Sequence, residues 1–425
     1  MIPGNSFTPG GTNYEYVTGS GPGVQASVKV YDANGALRYT LQPFANYTGG
    51  VNVAVADVTH TVTSVAGVSS ASMAGSGTVT VNTTIPHGYT VGQTVNLSNV
   101  NAFDAMGNLV YSYDGDYTIT AVDSPFSFQF ITDPPLMTPP TAFGGTAGVY
   151  QKDLIVSTAA GTTGRVRVYS FEGNTLRSVS LFQPFGPNYV GGVELTTGDV
   201  SGDFTKEIIV GQQTNGSIVK VFAVDPTSGG RTYFQTRRFQ AFEAGYTGGV
   251  SIASANIDAT ENTSTYNYDY SEILVGKAKN APLLKIFDAQ KPTVTVRAQY
   301  FVFTPNVPSV NVGINVAAGN TDGLRGAEIY VSLVNTTNVR IFNGQTGTTI
   351  SDFTVPYPTG YGRNLCISIN DLGDVLAPDS SPVSDASLAT NLFVVASDGP
   401  NAQIPLIFPG QYFSPAGLNG FHAAP

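Results

Sequence analysis

The residues best suited to chemistry lie between Asp199 and Glu207, where oxygen-bearing side chains stand at alternate positions. They are Asp199, Ser201, Asp203, Thr205 and Glu207. Ca²⁺ takes six to eight oxygen ligands, and alternate residues of a tight loop can point at one ion while a backbone carbonyl supplies a further ligand. The spacing therefore predicts a calcium loop, with Thr205 binding through its carbonyl and the other four through their side chains.

Two later segments repeat part of this pattern. The candidate ligands are Asn256, Asp258 and Glu272 in one segment and Asn320, Asp322 and Glu328 in the other. Glu272 comes only after extra residues, and Leu324 stands where a carboxylate would help, so we expect lower affinity there. The alternative for every such loop is an Asx-turn, in which Asp or Asn caps its own backbone without a metal.

The sequence gives little support for catalysis. The three histidines, His60, His87 and His422, are scattered along the chain, and the sequence has no nucleophile elbow. We interpret His87 as a turn residue. The single cysteine, Cys366, lies in an apolar run, where a buried small hydrophobe is the expected role. We therefore expect a protein that is not an enzyme.

One short apolar strand recurs along the chain and must position these loops. Its copies are Val28–Tyr31, Val166–Tyr169, Val219–Phe222, Leu284–Phe287, Val339–Phe342 and Pro405–Phe408. Apart from one long first gap, they recur roughly every 50 to 65 residues, which is a period of repeat architectures. Each unit also contains an alternating strand, often after Gly-Gly-Val, and a strand such as Glu207–Gly211. Four short strands per unit without helical periodicity are typical of a propeller blade.

The inner strands of these units predict an all-β, six-bladed β-propeller, with seven blades as the alternative and a solenoid as the runner-up architecture. A last inner strand at Leu418–Ala423 has no partner after it, whereas Glu15–Gly19 matches Glu207–Gly211. We therefore expect N- and C-terminal strands to close the last blade together. Such closure would protect an otherwise exposed strand edge.

The run from Gly191 to Gly211, GGVELTTGDVSGDFTKEIIVG, resembles the FG-GAP or VCBS repeat of integrin-α-type propellers. Related runs cover most of the chain outside one insertion. The resemblance implies a β-propeller with calcium in the loops between its strands. It also makes an integrin-like domain that binds a protein ligand one alternative function.

An insertion of residues 59–148 interrupts the first unit between Asp57 and Asp153. Its alternating strands predict a compact all-β module, so residues 1–58 and 149–425 would form the propeller. The segments PHGYTVGQTVNLSNV and DGDYTITAVDSPFSFQF are similar to small β modules of phage and bacterial surface proteins. Because the insertion separates Asp57 from Asp153, we expect no tight metal site in the first unit.

The composition suits a secreted or cell-surface protein. Only 11% of residues are charged, against about 25% in ordinary soluble domains, so hydroxyl and amide groups must cover the surface. A net charge of −10 argues against nucleic acid, and no apolar stretch is long enough to span a membrane. We expect a non-catalytic calcium-binding protein with a structural, adhesion or self-assembly role, whose partners are proteins or glycans. A carbohydrate-active enzyme, a glycan hydrolase or lyase, is the other alternative.

Overall fold

The computed structural model describes most of the chain, with gaps. The described residues are 2–4, 15–31, 36–74, 77–91, 93–131, 140–172, 175–203, 205–257, 270–303, 312–319, 326–334, 336, 338–354, 365–369, 391–396 and 405–409. For residues 2–4, 15–16, 64, 118, 171–172, 365–369, 391–396 and 405–409, only the backbone is described.

The first sheet is antiparallel and has four strands in chain order. These are β1 (Ile2–Gly4), β2 (Glu15–Gly19), β3 (Val28–Tyr31) and β4 (Leu37–Leu41). Ile2 pairs with Val17, so β2 lies between β1 and β3. The segment Leu418–Ala423, predicted to close the last blade, lies outside the described residues. A three-residue strand that contains proline has no alternation to reveal it in the sequence.

A barrel is inserted after β5 (Val51–Ala56). The following strands are β6 (Val62–Met73), β7 (Thr78–Thr83), β8 (Thr94–Ser98), β9 (Asn101–Phe103), β10 (Leu109–Ser112), β11 (Gly115–Ser124), β12 (Ser127–Ile131) and β13 (Thr146–Tyr150). Six of them close in the order β11-β12-β7-β6-β13-β8, and β9 and β10 form a separate two-stranded sheet. Strand β7 alternates between partly buried and buried side chains because one face of each barrel strand turns inward. The interior packs Phe128, Phe130 and Ile119 in a core of its own.

The chain then returns to complete further sheets. The second sheet joins β5 to β14 (Asp153–Thr158), β15 (Val166–Glu172) and β16 (Thr175–Phe182). The third sheet contains β17 (Val193–Gly198), β18 (Glu207–Gln212), β19 (Ile218–Val224) and β20 (Tyr233–Gln240). The fourth contains β21 (Val250–Ala255), β22 (Glu272–Lys277), β23 (Leu283–Asp288) and β24 (Thr295–Phe301). The fifth contains β25 (Ile314–Gly319), β26 (Glu328–Leu333), β27 (Asn338–Asn343) and β28 (Thr349–Thr354). A three-stranded sheet contains β29 (Leu365–Ile369), β30 (Asn391–Ala396) and β31 (Pro405–Pro409). Pro226–Ser228 forms a short 3₁₀ turn.

Burial along each sheet shows how the sheets pack. The second strands β14, β18, β22 and β26 are buried at every position, whereas the outer strands β16, β20 and β24 are largely exposed. A strand is buried on both faces when its sheet lies between two neighbours. Apolar clusters accordingly join successive sheets, for example Ile208 and Val166 in one cluster. The fold is therefore all-β, with five four-stranded sheets arranged as propeller blades.

The same edge of each blade carries an acidic residue. Asp153, Glu207, Glu272 and Glu328 each begin the second strand of a blade, opposite the last residue of the first strand. The loops predicted to bind metal therefore lie at one end of the sheets. Among the described residues, no helix has the length and hydrophobicity needed to span a membrane.

Candidate metal centre

Three carboxylates of the third sheet converge in the loop between β17 and β18. One carboxylate oxygen from each of Asp199, Asp203 and Glu207 lies within 4.8 Å of the other two, and within the described parts of the chain this is the one such group of His, Cys, Asp or Glu. Asp199 and Glu207 are buried, and Asp203 is exposed to solvent. The arrangement could hold a metal ion between two buried carboxylates and an exposed one.

Backbone amides of the loop hold these carboxylates in place. Asp199 Oδ1 accepts from the amides of Gly202 at 2.6 Å and Asp203 at 3.2 Å, and Glu207 Oε2 accepts from the Val200 amide at 2.8 Å. Asp203 Oδ1 accepts from the Thr205 amide at 2.9 Å. Asx-type turns and a metal site are therefore compatible here, since each carboxylate keeps acceptor capacity beyond these bonds.

The electrostatics of the cluster favour a bound cation. Burial raises the pKa of Glu207 to about 7, and the nearby charges of Asp199 and Asp203 add to this shift. The nearby Ser201 hydroxyl acts in the opposite direction and lowers the pKa of Glu207. Its contact with Glu207 does not meet the geometry of a hydrogen bond, so the buried Ser201 oxygen has no hydrogen-bond partner. A buried polar atom without a partner is costly. The oxygen of Ser201 is thus available as a ligand, as the sequence pattern predicts.

His60 connects this loop to the inserted barrel, which sequence analysis did not anticipate. Its Nδ1 lies 2.7 Å from Thr205 Oγ1, and its Nε2 lies 3.0 Å from the Tyr150 hydroxyl. Tyr150 donates in turn to Asp116 Oδ1 at 2.7 Å, so its oxygen accepts from His60. Asp116 also accepts from Asn96 Nδ2 at 2.7 Å. No linear motif could reveal this chain of contacts, because its members are far apart in sequence.

The fourth sheet covers the other side of the loop. The Ser271 amide donates to the Asp199 carbonyl at 2.7 Å. Gly202 has φ +74°, and a Cβ there would lie 2.5 Å from Tyr270 Cε1, so only glycine fits this turn. The candidate centre therefore borders two propeller sheets and the linkers of the barrel, with Asp203 on its solvent-exposed side.

The predicted site in the next sheet has a different arrangement. Glu272 Oε1 pairs with Arg297 Nη1 at 2.9 Å, and its Oε2 accepts from the Ile257 amide at 3.0 Å. The carbonyl of Asn256 accepts from the Ala327 amide at 2.8 Å. Asp258 lies outside the described residues. The Arg297 guanidinium compensates the charge of Glu272. Through its bond from the Ile257 amide, Glu272 also fixes the segment that follows β21.

The other predicted loops are only partly described. Glu328 is buried at the start of β26, while Asn320 and Asp322 lie outside the described residues. In the second sheet, Lys152 Nζ lies 3.3 Å from Asp57 Oδ1. Asp153 Oδ2 accepts from the amide of Thr59 at 2.8 Å, and burial raises its pKa to about 7.

A basic residue that recurs in successive sheets forms a cation–π contact, which the sequence did not predict. The middle of the recurring strand holds Arg167, Lys220, Lys285 and Arg340, and each cation lies over a phenylalanine that follows the outer strand of the preceding sheet. Lys220 Nζ, for example, lies 5.6 Å from the Phe185 ring centre and donates to the Pro184 carbonyl at 2.7 Å. The sequence does contain a sign of this contact, because five of its 19 basic residues, Lys29 among them, stand at the same position of the recurring strand.

Comparison with known proteins gives no family. No family model matches the chain, and no curated protein matches it. Solved structures to which the chain is similar include Sqt1 of Saccharomyces cerevisiae, with 12% identity, 95% of this chain and 94% of that chain covered, and a TM-score of 0.38. Another is the exotype rhamnogalacturonan lyase YesX, with 11% identity, 94% of this chain and 54% of that chain covered, and a TM-score of 0.34. A third is a functionally unknown protein from Desulfotomaculum acetoxidans, with 15% identity, 90% of this chain and 95% of that chain covered, and a TM-score of 0.33. With TM-scores below 0.5, none of the three bears on the function of this chain.

Proposed function

We propose that this protein is a non-catalytic, calcium-binding β-propeller of the FG-GAP or VCBS kind that serves as a structural, adhesion or assembly protein outside the cell or on its surface. The observation that carries the proposal is the convergence of Asp199, Asp203 and Glu207 around the unpartnered hydroxyl of Ser201. The low charge content supports an extracellular setting.

Calcium is the cation that suits this donor set. The side-chain candidates Asp199, Ser201, Asp203 and Glu207 all offer oxygen, and Thr205 offers its carbonyl. Hard oxygen ligands favour Ca²⁺, whereas Zn²⁺ favours histidine and cysteine ligands. Mg²⁺ demands a smaller, near-ideal octahedron and keeps several waters. Bound calcium would stiffen the loop.

We also propose that the propeller has six blades in a closed ring. Strand β1 lies close to both β5 and β29, which brings the first sheet next to the three-stranded sheet. The propeller would comprise residues 1–58 and 149–425, with residues 59–148 as an inserted module. Support for an inserted module comes from the closed hydrogen bonding of the barrel and its separate core, and the last barrel strand, β13, runs two residues past this boundary to Tyr150.

Calcium-dependent stability tests the proposal. A ligand that binds only the folded state stabilises it by about 2.7 kcal/mol at one hundred times its Kd. We expect CaCl₂ to raise the melting temperature of the EDTA-treated protein in differential scanning calorimetry, and Asp199→Asn/Glu207→Gln to abolish this rise. The matched control is Asp225→Asn, which alters an exposed carboxylate that accepts from the Thr227 amide in a similar turn. An unchanged melting temperature in EDTA and in calcium would contradict the proposal.

A further inference from the structure

Two neighbouring sheets carry pairs of cations that no described acidic residue compensates. In the third sheet, Lys220 of β19 stands directly opposite Arg238 of β20, so both side chains point to the same face of the sheet. In the second sheet, Arg165 and Arg167 both lie over the ring of Phe44, at 5.2 and 5.8 Å from its centre. None of the four cations forms an ion pair with a described residue.

Both pairs are costly in the free protein. Like charges directly opposite each other on neighbouring strands destabilise a sheet. Burial lowers the pKa of Lys220, and the charge of Arg238 lowers it further. The Nε atoms of Arg165 and Arg167 are buried without a hydrogen-bond partner, which adds a cost of its own. The chain keeps both pairs although it has only 19 basic residues, which indicates a use for the uncompensated charge.

The next two sheets show that an acid fits beside the same repeated cation. In the fifth sheet, Asp352 stands directly opposite Arg340 and forms an ion pair with it. In the fourth sheet, Glu243 Oε1 lies 2.6 Å from Lys277 Nζ. The hydrogen bond from Lys277, and to a smaller degree the charge of Lys285, lower the pKa of Glu243. Within the described part of the chain, the second and third sheets have no acid in this place.

One loop, residues 183–189, connects the two cation pairs. Lys220 lies over the ring of Phe185 in this loop. The ring of Tyr189 lies 5.0 Å from that of Phe185. The Tyr189 carbonyl accepts at 2.9 Å from the amide of Gly164, the residue that precedes the first arginine. Both pairs therefore border one surface that crosses from the second sheet to the third.

The charge pattern of this surface selects the kind of partner. A densely charged polyanion such as nucleic acid would be repelled by a chain of net charge −10. An acidic polysaccharide carries its carboxylates at intervals, with hydroxyl groups between them. A guanidinium binds a carboxylate through two parallel hydrogen bonds. The loop also exposes Gln183 and Asn188, whose amide groups can hydrogen-bond to sugar hydroxyls.

We propose that an acidic polysaccharide binds across the second and third sheets, with one carboxylate at each pair of cations. Lys220 Nζ keeps further N–H donors beyond its bond to the Pro184 carbonyl, and the guanidinium of Arg238 beside it is exposed. A bound carboxylate would take the place that Asp352 has in the fifth sheet. This inference names a partner for the proposed adhesion role and rests on that role.

Isothermal titration calorimetry of the full chain with a hyaluronan octasaccharide, whose carboxylates stand on alternate sugars, tests the proposal. We expect binding that weakens as salt is raised. The same oligosaccharide with its carboxyl groups reduced to alcohols should not bind. Arg165→Gln and Arg238→Gln should each lower the affinity about tenfold, because each removes a charged hydrogen bond. Arg231→Gln is the matched control, since it removes an exposed charge from the turn before β20, and it should bind like the wild type.

Arg238→Asp separates binding from a structural role of this arginine. It places an acid opposite Lys220, as Asp352 stands opposite Arg340 in the fifth sheet. We expect this variant to lose the oligosaccharide and to melt at a higher temperature than the wild type, because an ion pair replaces a repulsion. An arginine that only stabilised the sheet would give a lower melting temperature instead.

Three results would overturn the inference. They are a wild type that does not bind the oligosaccharide, binding that is unchanged in Arg165→Gln and Arg238→Asp, and tighter binding of polyglutamate, which would identify an acidic peptide as the ligand. The melting temperature of the wild type with and without calcium separates these results from the proposed function. A protein that calcium stabilises but that does not bind the oligosaccharide would retain its calcium site and lose only the proposed partner.

Discussion

His87 is buried in the loop between β7 and β8, where both of its ring nitrogens have partners. Nδ1 accepts from the Tyr89 amide at 2.9 Å, which leaves the proton on Nε2, 3.1 Å from the Ser124 carbonyl. The ring also packs against Phe128. The sequence predicts a turn residue here, and the structure places His87 in a loop with its ring buried, which the sequence alone could not predict. Burial lowers the pKa of His87 below its ordinary value of 6.5.

The shift makes the stability of the barrel depend on pH. Because the folded-state pKa lies below the unfolded one, the contribution of His87 is present above pH 6.5 and is lost as pH falls toward the folded-state pKa. We expect His87→Gln to reduce the loss of stability between pH 7 and pH 5 and to cost about 1–3 kcal/mol at pH 7 through the lost Tyr89 bond. Urea unfolding followed by circular dichroism measures both, and an unaltered pH dependence would exclude His87 as its source.

At the scale of the strand, the repeated cation joins the second to fifth sheets each to the sheet before it. Lys220 combines a hydrogen bond to the Pro184 carbonyl with a position over the Phe185 ring. Burial lowers the pKa of Lys220, and the charge of Arg238 adds to this effect. The contact therefore adds to the hydrogen bonds that already link these two sheets, such as those from Ser157 Oγ to the Val193 carbonyl at 2.7 Å and from the Ala160 amide to Gln213 Oε1 at 3.0 Å. Cation–π contacts contribute about 0.5–2 kcal/mol, depending on desolvation.

Removal of this cation should weaken the contact between the blades. Lys220→Met keeps the length and apolar stem of the side chain but loses the charge and the hydrogen bond, so we expect a loss of about 1–2 kcal/mol in unfolding free energy. Arg231→Met is the control, because it removes an exposed charge from the same sheet. Calorimetry of both variants in calcium compares their unfolding free energies. Equal values would show that the contact of Lys220 with Phe185 and Pro184 does not stabilise the protein.

Strand positions were largely predictable from sequence, and their partners were less so. The recurring apolar strands at Val219–Phe222 and Leu284–Phe287 lie within β19 and β23, because alternation of apolar and polar residues is a local property. The pairing of Ile2 with Val17 was missed, since β1 is short and contains Pro3. The ion pair of Glu272 with Arg297 was missed as well, because it joins residues of different strands.

At the scale of the whole molecule, the insertion meets the propeller at the candidate metal loop. His60 before the barrel and Tyr150 at its end pack ring against ring, with centroids 4.3 Å apart, and His60 contacts Thr205. The interrupted repeat predicts an insertion between Asp57 and Asp153. Its contact with a loop of the next blade was not predictable, because that contact depends on how the two chain segments pack in space.

This junction should transmit calcium binding to the barrel. If calcium orders the loop that contains Thr205, the hydrogen bonds through His60 and Tyr150 to Asp116 should become more persistent. We expect calcium to slow amide hydrogen exchange in β8, β11 and β13 of the wild type, and His60→Ala or Tyr150→Phe to remove this effect while calorimetric titration still detects calcium binding. Tyr111→Phe, a barrel tyrosine outside the junction, should behave like the wild type. Calcium-dependent protection that survives in His60→Ala and Tyr150→Phe would show that the coupling takes another route, whereas its loss in both would identify the insertion as a module whose attachment is controlled by the metal loop of the neighbouring blade.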